Sequence, residues 1–349
     1  MFNTAPFDIK EHRDSFLKRF SYKYEDEQTR LKGAAPNKSF SLKSEDKQPQ
    51  PEEVTPNGWR HTSPDFKGTG WLIDHISLME VTEIDGTAIT IGDGSLYTGR
   101  AKEGRFYKKL KTNGTPFLLS ETDSCASLTY EEMAVMANTE NFSDEMIAFF
   151  KKTVARDMLR VGFNGKMIAE NTNPDQYKNG EDINIGWHAL AKTFNKGSQV
   201  ISDAFALGKG GDFADVHDLA DCLITSKIPE GQREDPGLVV MVGAQLAARE
   251  RLKLFNMADQ PLTLTAGDML ESSVAGRFAF IPPFMPGKRL AVTTLKNLQI
   301  LTLKHSQRYR AEIVANRGVY EHGYLREEGY ALGDSYLYAA SDENAVTLV

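Results

Sequence analysis

The hydrophobic positions of this chain change period several times, and those changes predict its elements. Over 143–163, Met146, Phe150, Val154 and Met158 recur every four residues. Flanked by Ile147, Leu159 and Val161, they place an apolar stripe on one helix face. Ser143 fits the N-cap, Asp144 and Glu145 occupy the first turn where the helix dipole favours acids, and Asn164-Gly165 supplies a stop. A helix of that length is a rod of roughly 30 Å. A second stripe, Phe213, Val216, Leu219, Ala220 and Leu223, predicts a helix over 212–226 with Asp212, Asp215, Asp218 and Asp221 on its other side. Shorter helices are expected over 8–24, 187–195, 243–255 and 266–276.

Elsewhere the period is two. Residues 71–130 read as β: 71–73 and 75–81 alternate, Asp85-Gly86 is a hairpin-turn signal, and 87–91 alternate again. After glycines at 92, 94 and 99 comes a polar tip, with Arg100, Lys102, Arg105, Lys108, Lys109 and Lys111 against a lone Glu103. Asn113-Gly114 then turns into a return strand from Pro116. A two-stranded excursion with so little core leans on something else, and six bases point to an acidic support; a solvated loop is the alternative. Leu238–Val242 is a continuous apolar run, a buried strand. Residues 278–286 are extended but broken by proline, so they cannot sit centrally in a sheet throughout. The last third alternates over 290–295, 298–303, 309–314 and 330–338, and the chain contains no internal repeat.

Composition refines this α+β reading. At 349 residues the chain can bury one large core or two medium ones. Residues 1–63 stand apart as a low-hydrophobicity arm. Up to Glu53 its ten acids and ten bases cancel, and from Lys32 to Pro64 it turns to Lys, Ser, Glu, Gln, Asn and Pro. Such a segment either stays disordered or orders on a neighbouring surface. No stretch reaches the roughly 18 apolar residues of a membrane span. The N-terminal residues have no apolar core of a secretory signal. Two distant cysteines, Cys125 and Cys222, are expected as reduced thiols of a cytoplasmic protein. The net charge of -7 argues against tight general nucleic-acid binding, though not against a container for DNA.

Catalytic chemistry finds no support. Gly208-Lys209-Gly210-Gly211-Asp212 lies ahead of a helix, yet a phosphate loop needs GxxxxGK followed by Ser or Thr, and here an aspartate stands where phosphate would approach. The aspartate row with His217 offers oxygen ligands, but a solvated acidic face explains it more simply. Cys222 and His217 point in different directions on one helix, and Cys222 is expected to be a buried structural residue. No GxSxG or HExxH spacing occurs, and Glu234-Asp235-Pro236 is a turn first. No cofactor or metal is called for.

Several short blocks in fixed order carry a resemblance. These are Val161-Gly162-Phe163-Asn164-Gly165, the GKGGD loop, Glu234-Asp235-Pro236 with the following LVV run and Val242-Gly243, Gln245-Leu246, Leu295 with Asn297-Leu298 and Ile300, and Ser306 with Arg308 and Arg310. Together they resemble the major capsid proteins of peduovirus-type (P2-like) tailed bacteriophages over most of residues 70–340. The resemblance implies the α+β tailed-phage shell (HK-97-like) fold, with an N-terminal arm at 1–63 and a peripheral domain at 64–207. The latter holds an extended β-loop (about 80–125) and a long spine helix (143–163). An axial domain at 208–290 follows, and the C-terminal strands of 291–349 complete the peripheral sheet. It further implies assembly into hexamers and pentamers of an icosahedral shell around double-stranded DNA. Implied partners are a scaffolding protein, a portal and a decoration protein, with DNA touched only weakly and no membrane. Arg100, Lys102, Arg105, Lys108, Lys109 and Lys111 would then reach acids such as Asp144 and Glu145 of an adjacent subunit. A tail or baseplate structural protein, and an α/β enzyme with a ligand site at 208–250, are the competing readings.

Overall fold

The computed structural model describes residues 65–91, 98–100, 106–109, 112–129, 132, 142–249, 255–256, 272–314 and 317–349. The arm 1–63 with its helix over 8–24, the tip residues Lys102, Arg105 and Lys111, and the start of the helix expected over 266–276 lie outside them.

The described chain opens with helix α1 (Trp71–His75) and strand β1 (Ser77–Val81). Residues 71–73 are thus helical and not the expected strand. Trp71 stacks on His75 one turn later, ring centroids 4.1 Å apart, and Leu72 and Ile73 turn inward together. Strands β2 (Asp85–Ile91) and β3 (Thr112–Leu118) form an antiparallel hairpin that runs on into β4 (Ser120–Thr129). Asp85-Gly86 and Asn113-Gly114, expected as turns, lie within these strands, Asp85 opposite Leu118 and Gly114 opposite Ile89. Gly86 is there for space: a Cβ would come within 2.8 Å of the Phe117 ring.

Helix α2 (Phe142–Asn164) is the long helix the sequence predicts, with Ser143 inside it and not at its cap. Phe150, Val154 and Met158 are buried along one side. Helix α3 (Trp187–Thr193) follows, then two short unforeseen strands, β5 (Val200–Ile201) and β6 (Phe205–Leu207). Helix α4 (Val216–Lys227) starts at Val216 and not at 212, because Asp215 is its N-cap, its Oδ1 accepting from the Asp218 N–H at 2.9 Å. After β7 (Leu238–Val242) and helix α5 (Ala244–Arg249) come β8 (Phe255–Asn256), β9 (Ser273–Val274) and β10 (Arg277–Ile281). Two expectations fail here. Helix α5 is described as far as Arg249, and at 255 the chain pairs as β8 and is not helix, while 273–274 are strand because they pair with β10. Strand β10 stops just before Pro282-Pro283, which cannot donate to a ladder.

The final third holds β11 (Leu290–Thr294), β12 (Leu298–Leu303), β13 (Arg308–Val314), β14 (Val319–Leu332), β15 (Ala339–Ser341) and β16 (Val346–Leu348). Here the sequence reading misses most of the longest strand. It places a strand over 330–338, whereas β14 begins at Val319 and ends at Leu332.

These strands build two main sheets. In the first, β14 is the hub: β12 and β13 lie end to end along one flank and β4 along the other, with β1 parallel to β12 at the edge. The second sheet runs β5-β15-β11-β7-β10-β8, with β9 also on β10. The C-terminal strands therefore divide: β12 to β14 join the first sheet, β11 and β15 the second, and β16 pairs with β6.

Packing explains the second sheet's apolar sequence. Val239 and Met241 of β7, Ala291 of β11 and Phe280 of β10 face a core shared with α1, α2, α3 and the first sheet. Leu238, Val240, Val242, Leu290, Val292 and Ala279 face the other way, onto α4 and α5. Alternating side chains thus enter two different cores, and the strand reads as one unbroken hydrophobic run.

Candidate subunit-contact site

The β2–β3 hairpin is anchored at one end, and at the other the described residues are exposed. Near its base, Ala88 and Phe117 pack with Ile84 and Val81 on a small cluster of Leu119, Leu301 and Ala331. There the Leu119 N–H donates to the Ile84 carbonyl at 2.8 Å, and Thr115 Oγ1 lies 2.9 Å from Ser335 Oγ. Pairing is followed as far as Ile91 opposite Thr112. Beyond it Arg100, Lys108 and Lys109 are exposed.

Two further residues at this tip escape a reading made from charge alone. Tyr107 is 88% exposed and Phe106 39%. Gly99 lies so close to the Phe106 ring that a Cβ would come within 2.7 Å. Among the described residues nothing covers Tyr107, and an aromatic pair in water among bases is a candidate contact surface. Its signal in the sequence is the Phe106-Tyr107 dipeptide inside the basic run. The proposed acids belong to another element: Glu145 is exposed in the first turns of α2, beside Asp144.

The other chemistry-bearing residues mostly resolve into architecture. Three of the four aspartates at α4 hold backbone: Asp212 accepts from the Ala206 N–H at 2.8 Å, Asp215 caps, and Asp218 Oδ2 accepts from the Ala214 N–H at 3.1 Å. His217 Nδ1 accepts from the Ala275 N–H at 3.2 Å. Cys222 is half-exposed and not buried as expected, its sulfur 3.9 Å from Ser226 Oγ. Its position beside the apolar stripe leaves it on the flank of α4. Cys125 is exposed on β4, and neither cysteine is in a disulfide. The GKGGD loop receives the chain's own backbone. A Cβ on Gly208, at φ 136°, would come within 2.3 Å of the Val349 carbonyl oxygen, and one on Gly211 within 2.5 Å of that of Ala206. Asp235 Oδ1 accepts from the Gly237 N–H at 2.8 Å, the turn its proline announces.

Strand β14 carries ionised groups deep inside. Arg326 Nε donates to Glu328 Oε2 at 2.5 Å with both side chains 2% exposed, and Arg326 also lies over the Tyr324 ring at 4.6 Å. The Tyr330 hydroxyl lies 3.0 Å from both Glu328 Oε1 and the Met158 carbonyl, so the first sheet is tied to α2 by a polar network. Burial, with the facing Glu121 adding to it, pushes the Glu327 carboxyl up to about 7. Among the described residues the potential metal ligands that converge are not the α4 aspartates but His188, Asp342 and Glu343.

This combination of helices, two main sheets and a protruding hairpin is a known architecture. The model of the family "Phage major capsid protein, P2 family" matches residues 37–344, most of the chain. The chain belongs to that family. Among curated proteins, the capsid proteins of Escherichia phage P2 are 24% identical over 256 residues, covering 68% of this chain and 71% of that one. Among solved structures, a chain of the satellite phage P4 procapsid including size determination (Sid) protein superposes with a TM-score of 0.68. It is 20% identical and covers 81% of this chain and 89% of its own. The fold is therefore the tailed-phage capsid fold. As a member of this family the chain is a self-associating shell subunit, and its place is the virion. No helix among the described residues is long and apolar enough to cross a membrane.

Proposed function

We propose that this subunit builds hexamers and pentamers of an icosahedral shell around double-stranded DNA, and that the β2–β3 tip is its grip on the adjacent copy. The carrying observation is the contrast within the hairpin: a base buried on Leu119, Leu301 and Ala331, and a tip that exposes Phe106, Tyr107, Arg100, Lys108 and Lys109. With Lys102, Arg105 and Lys111 the tip is strongly basic, and it meets acids of a neighbour such as Asp144 and Glu145. Aromatic residues contribute area and bases contribute orientation, the usual division at interfaces. Heterologous contacts of this kind close rings, and the same contact has to serve two ring sizes.

In this reading residues 1–63 are the arm, 64–207 the peripheral domain with the extended loop and spine helix, 208–290 the axial domain, and 291–349 the returning strands. Strand β11, paired with β7, binds the axial part to the rest. The protein is structural and not catalytic; its partners beyond itself are a scaffolding protein, a portal and a decoration protein, with DNA held only weakly. The test is charge reversal of Lys108, Lys109 and Lys111 to Glu. The expected result is a subunit with unchanged thermal unfolding that yields no closed particles by negative-stain microscopy. Normal shells from this variant would overturn the assignment of the tip.

A further inference from the structure

We infer that His188, Asp342 and Glu343 form a binding site for a divalent metal ion of the zinc type, clamping helix α3 to the segment that follows β15. One ring nitrogen of His188 and one carboxylate oxygen each from Asp342 and Glu343 lie within 4.8 Å of one another. Imidazole nitrogen and carboxylate oxygen are the donor set zinc accepts, and three protein ligands leave a fourth position for water. Acidic groups near one another are common, and the histidine is what makes this group different. His188 is 6% exposed, and its Nε2 has no hydrogen-bond partner although two carboxylates stand close by. A buried polar nitrogen left unpaired is costly. Its other nitrogen, Nδ1, lies 3.4 Å from the Tyr338 hydroxyl. With the proton on Nδ1, toward Tyr338, Nε2 keeps a lone pair that no described protein group uses, the arrangement that outer partners enforce on metal-binding histidines.

Two cations already attend the carboxylates, and they set the terms of binding. Arg289 donates to Glu343 Oε2 through Nε at 2.9 Å and Nη2 at 2.7 Å, while its Nη1 donates to the Phe163 carbonyl at 2.5 Å. At 3% exposure it stays, and it orients Glu343 while linking the site to the end of α2. Lys192 differs. It pairs with Asp342 Oδ2, but its side chain is 43% exposed, so it can swing into water at little cost. Asp342 Oδ1 remains held by the Asn344 N–H at 3.0 Å and its Nδ2 at 3.1 Å. An incoming metal ion thus displaces the lysine, keeps the arginine, and meets a carboxylate that is already positioned.

That competition gives the test its sign. The full-length protein is stripped with a chelator, and zinc chloride is titrated calorimetrically alongside thermal unfolding. The expected result is one ion per chain and an upward shift of Tm. His188→Gln, which keeps a polar side chain of similar reach, is expected to lose affinity at least about tenfold. Lys192→Ala, which removes the competing charge, is expected to gain about tenfold. Absence of binding to the wild type, or equal binding in His188→Gln and the wild type, overturns the site. Should His188→Gln not fold, the lysine variant decides: tighter binding upholds the site, and unchanged or weaker binding overturns it.

Discussion

Strands β7 and β14 are both flanked on two sides and both bury their side chains, yet they are made of opposite materials. Strand β7, Leu-Val-Val-Met-Val, sends alternate residues into two apolar cores and carries no ionisable group. Strand β14 has the buried residues His322, Arg326, Glu327 and Glu328 among its tyrosines and leucines. The first strand is held by area removed from water, about 1.5–3 kcal/mol for each large side chain. The second pairs most of its buried polar groups one by one: Arg326 with Glu328 and Ser124 Oγ, Glu328 with Tyr330, and Tyr324 with Gln307 at 2.7 Å. A strand of the first kind tolerates any apolar neighbour of the right size. One of the second kind is correct only when every partner is in place, which makes it a poor source of stability and a strict specifier of register.

The contrast can be broken most violently in β7. Val240 is fully buried against α4 and α5. Val240→Asp puts a carboxylate into an apolar cluster, and the expected loss, about 5 kcal/mol or more, leaves no soluble subunit in an expression and sedimentation assay. In β14 the expected outcome depends on how many charges are removed. Arg326→Met alone strands Glu328 and costs about 3–5 kcal/mol in denaturant unfolding. The double variant Arg326→Met/Glu328→Leu recovers most of that loss, because no charge is left unpaired. If the double variant is as unstable as the single, β14 is held by something other than ion pairing.

A smaller effect distinguishes the strands by pH. Glu327 faces Glu121 directly across the β4–β14 ladder, and its carboxyl is raised from 4.5 to about 7. Between those values the folded chain holds a proton that the unfolded chain has released. Stability from this group therefore falls as pH rises through that window, and the penalty is complete above about 7. Glu327→Gln is expected to stabilise by about 2–3 kcal/mol at pH 8 and by little below pH 4.5. Equal stabilisation at both ends, read from urea midpoints, would remove the titration from the account.

The same contrast decides what could be read in advance. Helix α2 and strand β7 are legible because their apolar residues follow one period without interruption, and burial then follows from local pattern alone. In β14 the run Tyr320-Glu321-His322 to Arg326-Glu327-Glu328 looks like solvated surface, since nothing local shows that Ser124, Gln307 and Met158 will close around it. Helix α1 was hidden for a related reason: five residues carry too little periodicity to outweigh the alternation that Trp71 and Ile73 share with a strand. At the hairpin tip the bases were visible as a run. The exposure of Phe106 and Tyr107 was not, because aromatic residues in sequence are expected inside.

The sequence by itself determined the family, the long helix, the buried apolar strand and the basic tip, since each rests on residues close together in the chain. Only the tertiary structure decided how the C-terminal strands divide between two sheets, which glycines admit the backbone of Val349 and Ala206, and that His188 meets Asp342 and Glu343. These depend on groups far apart in sequence, whose protonation and pairing are set by burial. Burial belongs to the fold and not to any residue in it.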